Sequence, residues 1–122
     1  MSQQDREISG FHAHVYFDAS HQTQAKRLWD AIQSRFDVTA RYWREAAFGP
    51  HPSGAYQVDF SAALFGELVP WLMLHREGLD ILVHPLSGDD VEDHTDYAMW
   101  LGAPVALDVD FLRRNGRGRE RG

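Results

Sequence analysis

The order in which strand-like and helix-like hydrophobic patterns follow one another restricts this chain to few folds. Strand-like segments place apolar residues at every second position, whereas helix-like segments repeat them three and four residues apart. Such segments follow in the order strand, helix, strand, strand, helix, strand, at residues 11–17, 21–36, 38–45, 55–61, 64–78 and 79–85. The sequence therefore predicts the element order β-α-β-β-α-β.

This order predicts an α+β fold of the ferredoxin-like type, a two-layer sandwich in which both helices cover one face of an antiparallel sheet. Pro70 lies within the second helical pattern and is expected to kink or divide that helix, because proline has no backbone N–H. Beyond the last strand, the sequence favours a short helix over 97–101. Segment 104–112 is expected either to add a strand or to pack against the sheet edge.

Length and charge favour one compact domain over 11–112, between a flexible N-terminal lead, 1–10, and a disordered Arg/Gly-rich tail, 113–122. The chain has a net charge of -6 although its tail is basic, so nucleic acid is not expected as a partner. The sequence shows no secretory leader and no run of about 18 apolar residues, so we expect neither export nor a membrane span. We therefore expect a cytoplasmic protein without a membrane partner. Because cysteine is absent, any metal must be held by nitrogen and oxygen ligands.

Histidines gather on one face of the predicted sheet. Side chains of a strand alternate between faces, so His12, His14 and Tyr16 point away from the helices. The same rule places Leu82 and His84 on that face of the fourth strand, which neighbours the first in a ferredoxin-like sheet. The imidazoles are therefore expected to converge. Because Tyr16 and Leu82 would be unusual on an open face, we expect a homodimer that covers it as a dimeric α+β barrel.

Two further histidines lie in segments that can reach this face. His51 stands between Pro50 and Pro52, which restrict the backbone, and it could be a metal ligand, an acid/base group or a turn residue. His94 follows Asp93, which could be a second ligand or the hydrogen-bond acceptor of the histidine.

Neutral imidazoles with a nearby carboxylate are ligands that suit iron(II), manganese or zinc. A single H-x-H pair is more often structural, with each ring hydrogen-bonded to its neighbours. Three or four converging histidines instead favour a metal site. His21, at a helix start, and His75, near a helix end, are expected to be structural.

Four motifs, HAHVYF, GPHP, LVHP, and DH followed by WLG, occur in an order and at separations that resemble the DOPA 4,5-dioxygenase family of aromatic ring-cleaving enzymes. The resemblance covers about residues 11–108. It implies a ferredoxin-like domain, usually dimeric, with a non-haem iron(II) that splits a catechol beside its two hydroxyls using O2. By motif match, the corresponding positions are His12, His14, His51, His84, Asp93 and His94.

This resemblance and the expected convergence lead to an assignment of roles. The metal ligands are expected to be His14, His84 and His94, with His12 or Asp93 completing or orienting the set. His51 and His12 are the candidates for acid/base work. Substrate contacts are expected from Tyr16, Arg41, Trp43 and Trp100, since an arginine suits a carboxylate.

The leading hypothesis is a cytoplasmic, homodimeric Fe(II) enzyme that performs extradiol-type cleavage of a DOPA-like or other carboxylated catechol with O2. The alternative is a non-catalytic dimeric ferredoxin-like protein that binds a small aromatic ligand or a metal in the same cavity. Hydrolysis at bound zinc is a third possibility. Of these three hypotheses, ring cleavage is the one that requires the protein to consume O2.

Overall fold

The computed structural model describes residues 7–116 and contains a five-stranded antiparallel sheet with helices. The strands are β1 (Phe11–Phe17), β2 (Thr39–Arg44), β3 (Gly54–Phe60), β4 (Ile81–Pro85) and β5 (Met99–Leu101). The helices are α1 (Gln22–Arg35), α2 (Phe65–His75), α3 (Asp90–His94) and α4 (Val109–Asn115). The strand order is β2-β3-β1-β4-β5, so β4 lies beside β1, as the sequence predicted, and β3 lies on the other side of β1.

One face of the sheet, which we call the helix face, packs against α1 and α2. The apolar residues that recur three and four apart along these helices are buried: Ala25, Leu28, Ile32, Leu68, Val69 and Leu72. They join alternate residues of β1 in a single core, including Ala13, Val15 and Phe17. The periodicities read from the sequence therefore correspond to a real packed interface, and its burial is the main stabilising contribution to such a fold.

Pro70 does not divide the second helix, which runs without interruption from Phe65 to His75. Proline cannot donate to the carbonyl of Gly66, four residues earlier. Both residues are exposed, so water can hydrate that carbonyl. The predicted division was wrong because it ignored which side of the helix Pro70 occupies.

Two expectations for the segment after β4 were also wrong. Residues 97–101 do not form a helix, because Met99–Leu101 pair with β4 as strand β5. Segment 104–112 adds no strand. Its last residues begin α4 instead, where the Asp108 side chain accepts a hydrogen bond from the backbone N–H of Phe111. The neighbouring strand and the helix cap decided these conformations, which local pattern left ambiguous.

The ends of the domain extend slightly further than the sequence predicted. Ser9 donates its backbone N–H to the Leu86 carbonyl at 3.0 Å, and the Leu86 N–H donates to the Gly10 carbonyl at 2.9 Å. At the other end, Arg113–Asn115 belong to α4 rather than to a disordered tail. The rest of the predicted lead, 1–6, and of the predicted tail, 117–122, lies outside the described residues.

The opposite side of the sheet, the histidine face, carries His12, His14, Tyr16, Leu82 and His84 and is partly covered by the chain itself. Tyr16 and Leu82 are 5% and 0% exposed. The side chains packed against them are Phe48, Ala98, Trp100, Val105 and Leu107. The expectation of an open face was therefore wrong, and exposure of this face no longer argues for a homodimer, which stays a prediction.

Within the part of the chain that the structure describes, no helix has the length and apolar character needed to cross a membrane.

Candidate metal centre

The register of the central strands brings three histidines together. His12 of β1 lies directly opposite His84 of β4, and His14 follows on the same face. One side-chain nitrogen from each of these three residues lies within 4.8 Å of the other two. This convergence was predicted from strand alternation, and the structure confirms it.

The closest approach within this group joins two ring nitrogens. Nε2 of His14 lies 3.0 Å from Nε2 of His84, and both side chains are buried. Two metal–nitrogen bonds of about 2.1 Å at a right angle would place their donor atoms about 3 Å apart. The pair therefore fits two neighbouring ligands of one ion, and an all-nitrogen donor set suits a transition metal rather than calcium or magnesium.

Backbone carbonyls fix the orientation of two histidine rings. Nδ1 of His84 donates to the carbonyl of Pro85 at 2.9 Å, and Nδ1 of His94 donates to the carbonyl of Asp90 at 2.7 Å. A neutral ring that uses Nδ1 as donor keeps its lone pair on Nε2. Both residues thus present the nitrogen that a metal requires, and such supporting bonds are typical of metal-binding histidines.

Burial keeps these rings in their neutral form. It lowers the pKa of His14 and His84 well below the ordinary value, and the other imidazoles of the cluster lower both further. Burial also lowers the pKa of His94, although the Asp90 carbonyl opposes the change. A neutral imidazole is the form that binds a metal, so the cluster is prepared for binding near neutral pH.

His94 lies against this group rather than within it. Its ring centroid is 4.1 Å from that of His84 but 6.0 Å from that of His14. The compact group contains His12 where the sequence assignment had His94. His12 is therefore a ligand candidate as well as an acid/base candidate, and His94 remains a candidate ligand beside it.

His12 occupies the more exposed rim of the cluster. Its Nε2 lies 3.3 Å from a carboxylate oxygen of Asp59, which also accepts a hydrogen bond from Gln57 at 2.6 Å. Burial lowers the pKa of His12, while Asp59 raises it and partly offsets that effect. The guanidinium of Arg41 pairs with the other Asp59 oxygen at 2.5 Å. The rim thus joins an imidazole, a carboxylate and a cation.

His51 reaches the cluster from the loop between β2 and β3. Its backbone forms two hydrogen bonds with Phe48, of 2.8 and 3.1 Å, which close a tight turn. Gly49 within that turn has a φ of 53°, a left-handed conformation that glycine adopts readily. The His51 ring centroid lies 4.6 Å from that of His14, and burial lowers its pKa to about 4. The structure therefore places His51 beside the candidate ligands, as predicted.

Tyr16 lies on the histidine face, as predicted, and its side chain is bonded to His51. Its hydroxyl lies 2.7 Å from Nδ1 of His51, and the side chain is 5% exposed. The assignment of Tyr16 as a substrate contact stays a prediction.

Asp93 supports the site through hydrogen bonds to a residue that the sequence did not indicate. Its carboxylate accepts hydrogen bonds from the Ser87 hydroxyl at 2.5 Å and from the Ser87 N–H at 3.1 Å. Burial raises its pKa, and the bonds from Ser87 oppose that shift. Asp93 thus ties α3 to the end of β4, which positions His94 near His84, instead of accepting a hydrogen bond from a histidine ring.

The aromatic and basic residues of β2 divide between the two faces. Arg41 lies opposite Gln57 and therefore on the histidine face, but Trp43 packs with Phe17 on the helix face. Strict alternation would place Arg41 and Trp43 together. Tyr42 has a φ of 64° within an irregularity of the strand pairing, and this reverses the direction of the next side chain. Trp43 is thus not a substrate contact.

Trp100 remains near the site. It lies opposite Leu82 in the sheet, and its ring centroid is 5.9 Å from that of Tyr16. The histidines expected to be structural lie elsewhere: His21 bonds to Asp18 at an exposed helix start, and His75 bonds to the Trp71 carbonyl.

The site residues predicted from the sequence do not include Asp59, although its carboxylate lies 3.3 Å from His12. Its contact with His12 follows from the register, in which the two residues are direct partners of β3 and β1. The signal was therefore present in the alternation of β3. By contrast, nothing in the sequence distinguishes Ser87 as the partner of Asp93, because that contact depends on how α3 packs.

Fold and site together define an α+β protein whose sheet carries a histidine group able to bind a metal. Residues 11–111 match the Dopa 4,5-dioxygenase family. The chain belongs to this family, as the sequence motifs indicated. Family membership supports an oxygenase-type enzyme.

Individual relatives agree with this placement. The chain is 31% identical over 121 residues to the DOPA 4,5-dioxygenase of Amanita muscaria, covering 88% of this chain and 51% of that protein. It is 34% identical over 117 residues to an uncharacterized 21.2 kDa protein of Botryotinia fuckeliana, covering 85% and 63%. The chain thus spans about half to three fifths of the length of these curated relatives. It is also similar to the solved structure of a candidate dioxygenase of Nostoc punctiforme, with 54% sequence identity and a TM-score of 0.86. The match covers 88% of this chain and 93% of the Nostoc chain.

Proposed function

We propose that this protein is an Fe(II)-dependent extradiol-type dioxygenase that cleaves a carboxylated catechol with O2. The observation that carries the proposal is the 3.0 Å approach of the buried Nε2 atoms of His14 and His84 within the three-histidine group. His14 and His84 would hold the metal, with His12 or His94 completing the set. Bound Fe(II) would supply positions at which a catecholate and O2 meet.

The rim of the site suits an anionic aromatic substrate. With His94 as the third ligand, His12 is free to act as the base: it faces the carboxylate of Asp59, so it can accept a proton from a catechol hydroxyl and be stabilised as an imidazolium by that carboxylate. Arg41 lies on the same face at the surface, where its guanidinium can receive a substrate carboxylate in place of Asp59. These two residues give the rim a base and an anion-binding group.

The covered part of the site suits a reaction that must exclude water. Leu82 and Trp100 pack beside the histidines, together with the C-terminal segment that carries Val105 and Leu107. An apolar wall strengthens electrostatic interactions inside the site and protects reactive species from side reactions. We further propose that the active form is a cytoplasmic homodimer, because the family that the motifs resemble is usually dimeric.

The direct test is anaerobic loading with Fe(II), followed by addition of O2 and a panel of catechols with and without a carboxylate. We expect stoichiometric O2 uptake and a yellow semialdehyde product, with the carboxylated catechols turned over best. His84→Gln should abolish both metal binding and O2 uptake. The matched control His75→Gln changes a histidine that bonds to the Trp71 carbonyl of its own helix, and it should behave as the unchanged protein.

Two outcomes would contradict the proposal. If the protein binds iron and aromatic ligands but consumes no O2 with any catechol, it is a binding protein. If a substrate is hydrolysed with zinc bound and O2 is not consumed, the site serves hydrolysis. Size-exclusion chromatography with light scattering checks the homodimer separately.

A further inference from the structure

Tyr16 and His51 form a buried pair on the inner side of the histidine face. The hydroxyl oxygen of Tyr16 lies 2.7 Å from Nδ1 of His51, and the two residues are 5% and 6% exposed. Tyr16 lies two residues beyond His14 on β1, and the His51 ring lies beside the His14 ring. The pair is therefore adjacent to the candidate ligands, but the catalytic roles described above leave Tyr16 without a function.

The direction of this hydrogen bond follows from the chemistry of its two partners. A buried tyrosine hydroxyl needs an acceptor for its proton. Among the hydrogen bonds of the described residues, His51 Nδ1 is the partner of the Tyr16 hydroxyl. A tyrosine hydroxyl is both a donor and an acceptor, so it can satisfy the ring nitrogen while it places its own proton. Tyr16 therefore donates and Nδ1 of His51 accepts.

That direction determines where the His51 proton lies. A neutral imidazole has one donor nitrogen and one acceptor nitrogen. Because Nδ1 accepts from Tyr16, the ring proton is on Nε2. His84 and His94 show the opposite arrangement, since each uses Nδ1 as the donor. His51 thus differs from these ligand candidates in the nitrogen that carries hydrogen.

The backbone around His51 limits rotation of the ring away from this partner. Two hydrogen bonds with Phe48 close the turn, and the N–H of Asp108 donates to the Pro50 carbonyl at 2.8 Å. The Phe48 ring lies 4.9 Å from the His51 ring, between centroids. The loop is therefore held both by its own turn and by the segment that precedes α4.

We propose that Tyr16 is a positioning residue that fixes His51 as a neutral hydrogen-bond donor, with the proton on Nε2 available to a substrate oxygen. This inference rests on the proposed function, because a catechol would present that oxygen as a catecholate. A fixed N–H stabilises negative charge as it develops, without a full proton transfer. The inference makes His51 a donor rather than the base and leaves the base role to His12.

The first test measures the proton position itself in metal-free protein. Nitrogen-15 NMR correlation of the histidine rings distinguishes a protonated ring nitrogen from an unprotonated one. We expect His51 to carry its proton on Nε2 in the unchanged protein and to lose this strong preference in Tyr16→Phe. The matched control is Tyr56→Phe, which removes another buried tyrosine hydroxyl, bonded to the Ala25 carbonyl on the helix face. That control should leave the His51 spectrum unchanged.

The second test separates positioning from folding and from metal binding. In Tyr16→Phe we expect kcat to fall about 10- to 100-fold, with KM and metal affinity within about two-fold of the unchanged protein, because only a donor to charge in the transition state is disturbed. Tyr56→Phe should retain kcat. Thermal melting of both variants shows whether they are folded.

The inference would be overturned if His51 carries its proton on Nδ1 in the unchanged protein, or if Tyr16→Phe leaves the His51 proton position as it was. Loss of metal binding in Tyr16→Phe would also overturn it, since Tyr16 would then support the ligands. Absence of catechol cleavage in the unchanged protein, together with the expected NMR result, would instead reject the proposed function and leave the Tyr16–His51 arrangement established.

Discussion

The two faces of the sheet differ sharply although the same strands build both. In β1, Ala13 and Val15 pack under the helices, whereas His14 and Tyr16 are buried on the histidine face. Burial of apolar side chains on the helix face stabilises the fold, since it removes hydrocarbon from water. Burial of imidazoles on the other face disfavours their charged form and restricts their hydrogen bonding. The first face thus stabilises the fold, and the second carries the candidate metal site.

This contrast indicates that stability and function can be changed separately in this domain. A residue of the helix face should affect the free energy of unfolding while leaving ligand binding intact. A residue of the histidine face should affect binding far more than folding. Proteins commonly retain features at functional sites that are unfavourable for stability.

The largest effect is expected from His14→Gln, which removes a nitrogen from the centre of the candidate site. We expect kcat/KM for ring cleavage to fall at least about 1,000-fold, because the metal is lost with its ligand. Oxygen uptake and metal titration by calorimetry measure the result. An active, metal-binding His14→Gln protein would show that the closest nitrogen pair of the cluster is structural.

Leu28→Ala on the helix face is expected to lower stability while it leaves metal binding unchanged. Leu28 is 1% exposed on α1, so its truncation leaves a cavity and should lower the free energy of unfolding by about 2 to 5 kcal/mol. Urea denaturation measures this loss. Metal affinity at a temperature where the variant is folded should be unchanged, and a large drop in affinity would show that the two faces are coupled.

A change of pH tests the cost of burying neutral histidines. Burial lowers the pKa of His51 from 6.5 to about 4, so the unfolded chain binds a proton more readily than the folded chain. Its contribution to stability is present above pH 6.5 and is lost as the pH falls toward 4. Since each pKa unit corresponds to about 1.4 kcal/mol, His51 alone should cost the metal-free protein about 2 kcal/mol between pH 7 and pH 5.

His51→Gln provides the control for that measurement. Urea denaturation of both proteins at the two pH values should show a smaller loss of stability in the variant, because its side chain does not titrate. Equal losses in both proteins would mean that His51 is not desolvated in the folded state.

The smallest effect is expected at the exposed rim, from Arg41→Gln. The side chain is 45% exposed and pairs with Asp59, and surface ion pairs contribute little to stability. We therefore expect no measurable change in the melting temperature. KM for a carboxylated catechol should rise about 10-fold while KM for an uncarboxylated one stays constant, since only the former uses the guanidinium. Equal KM changes for both substrates would exclude recognition of the carboxylate by Arg41.

The element order and the facing of the central strands could be predicted because they depend on local periodicity. Alternation along 11–17 and 79–85 assigned His12, His14 and His84 to one face, and the register then brought them together. Prediction failed where alternation is interrupted, as at Tyr42, and where a short segment takes its conformation from a partner strand, as in β5.

Local pattern in the sequence specified which strand residues could form a metal site, because a two-residue period allows only one division of a strand into faces. Tertiary structure decided how those residues are used. It placed the Tyr16 hydroxyl on His51, joined Asp93 to Ser87, and folded the chain's own C-terminal segment over the histidine face. Each of these contacts links residues whose separation depends on loop paths and helix packing, and such distances are not encoded in any local pattern.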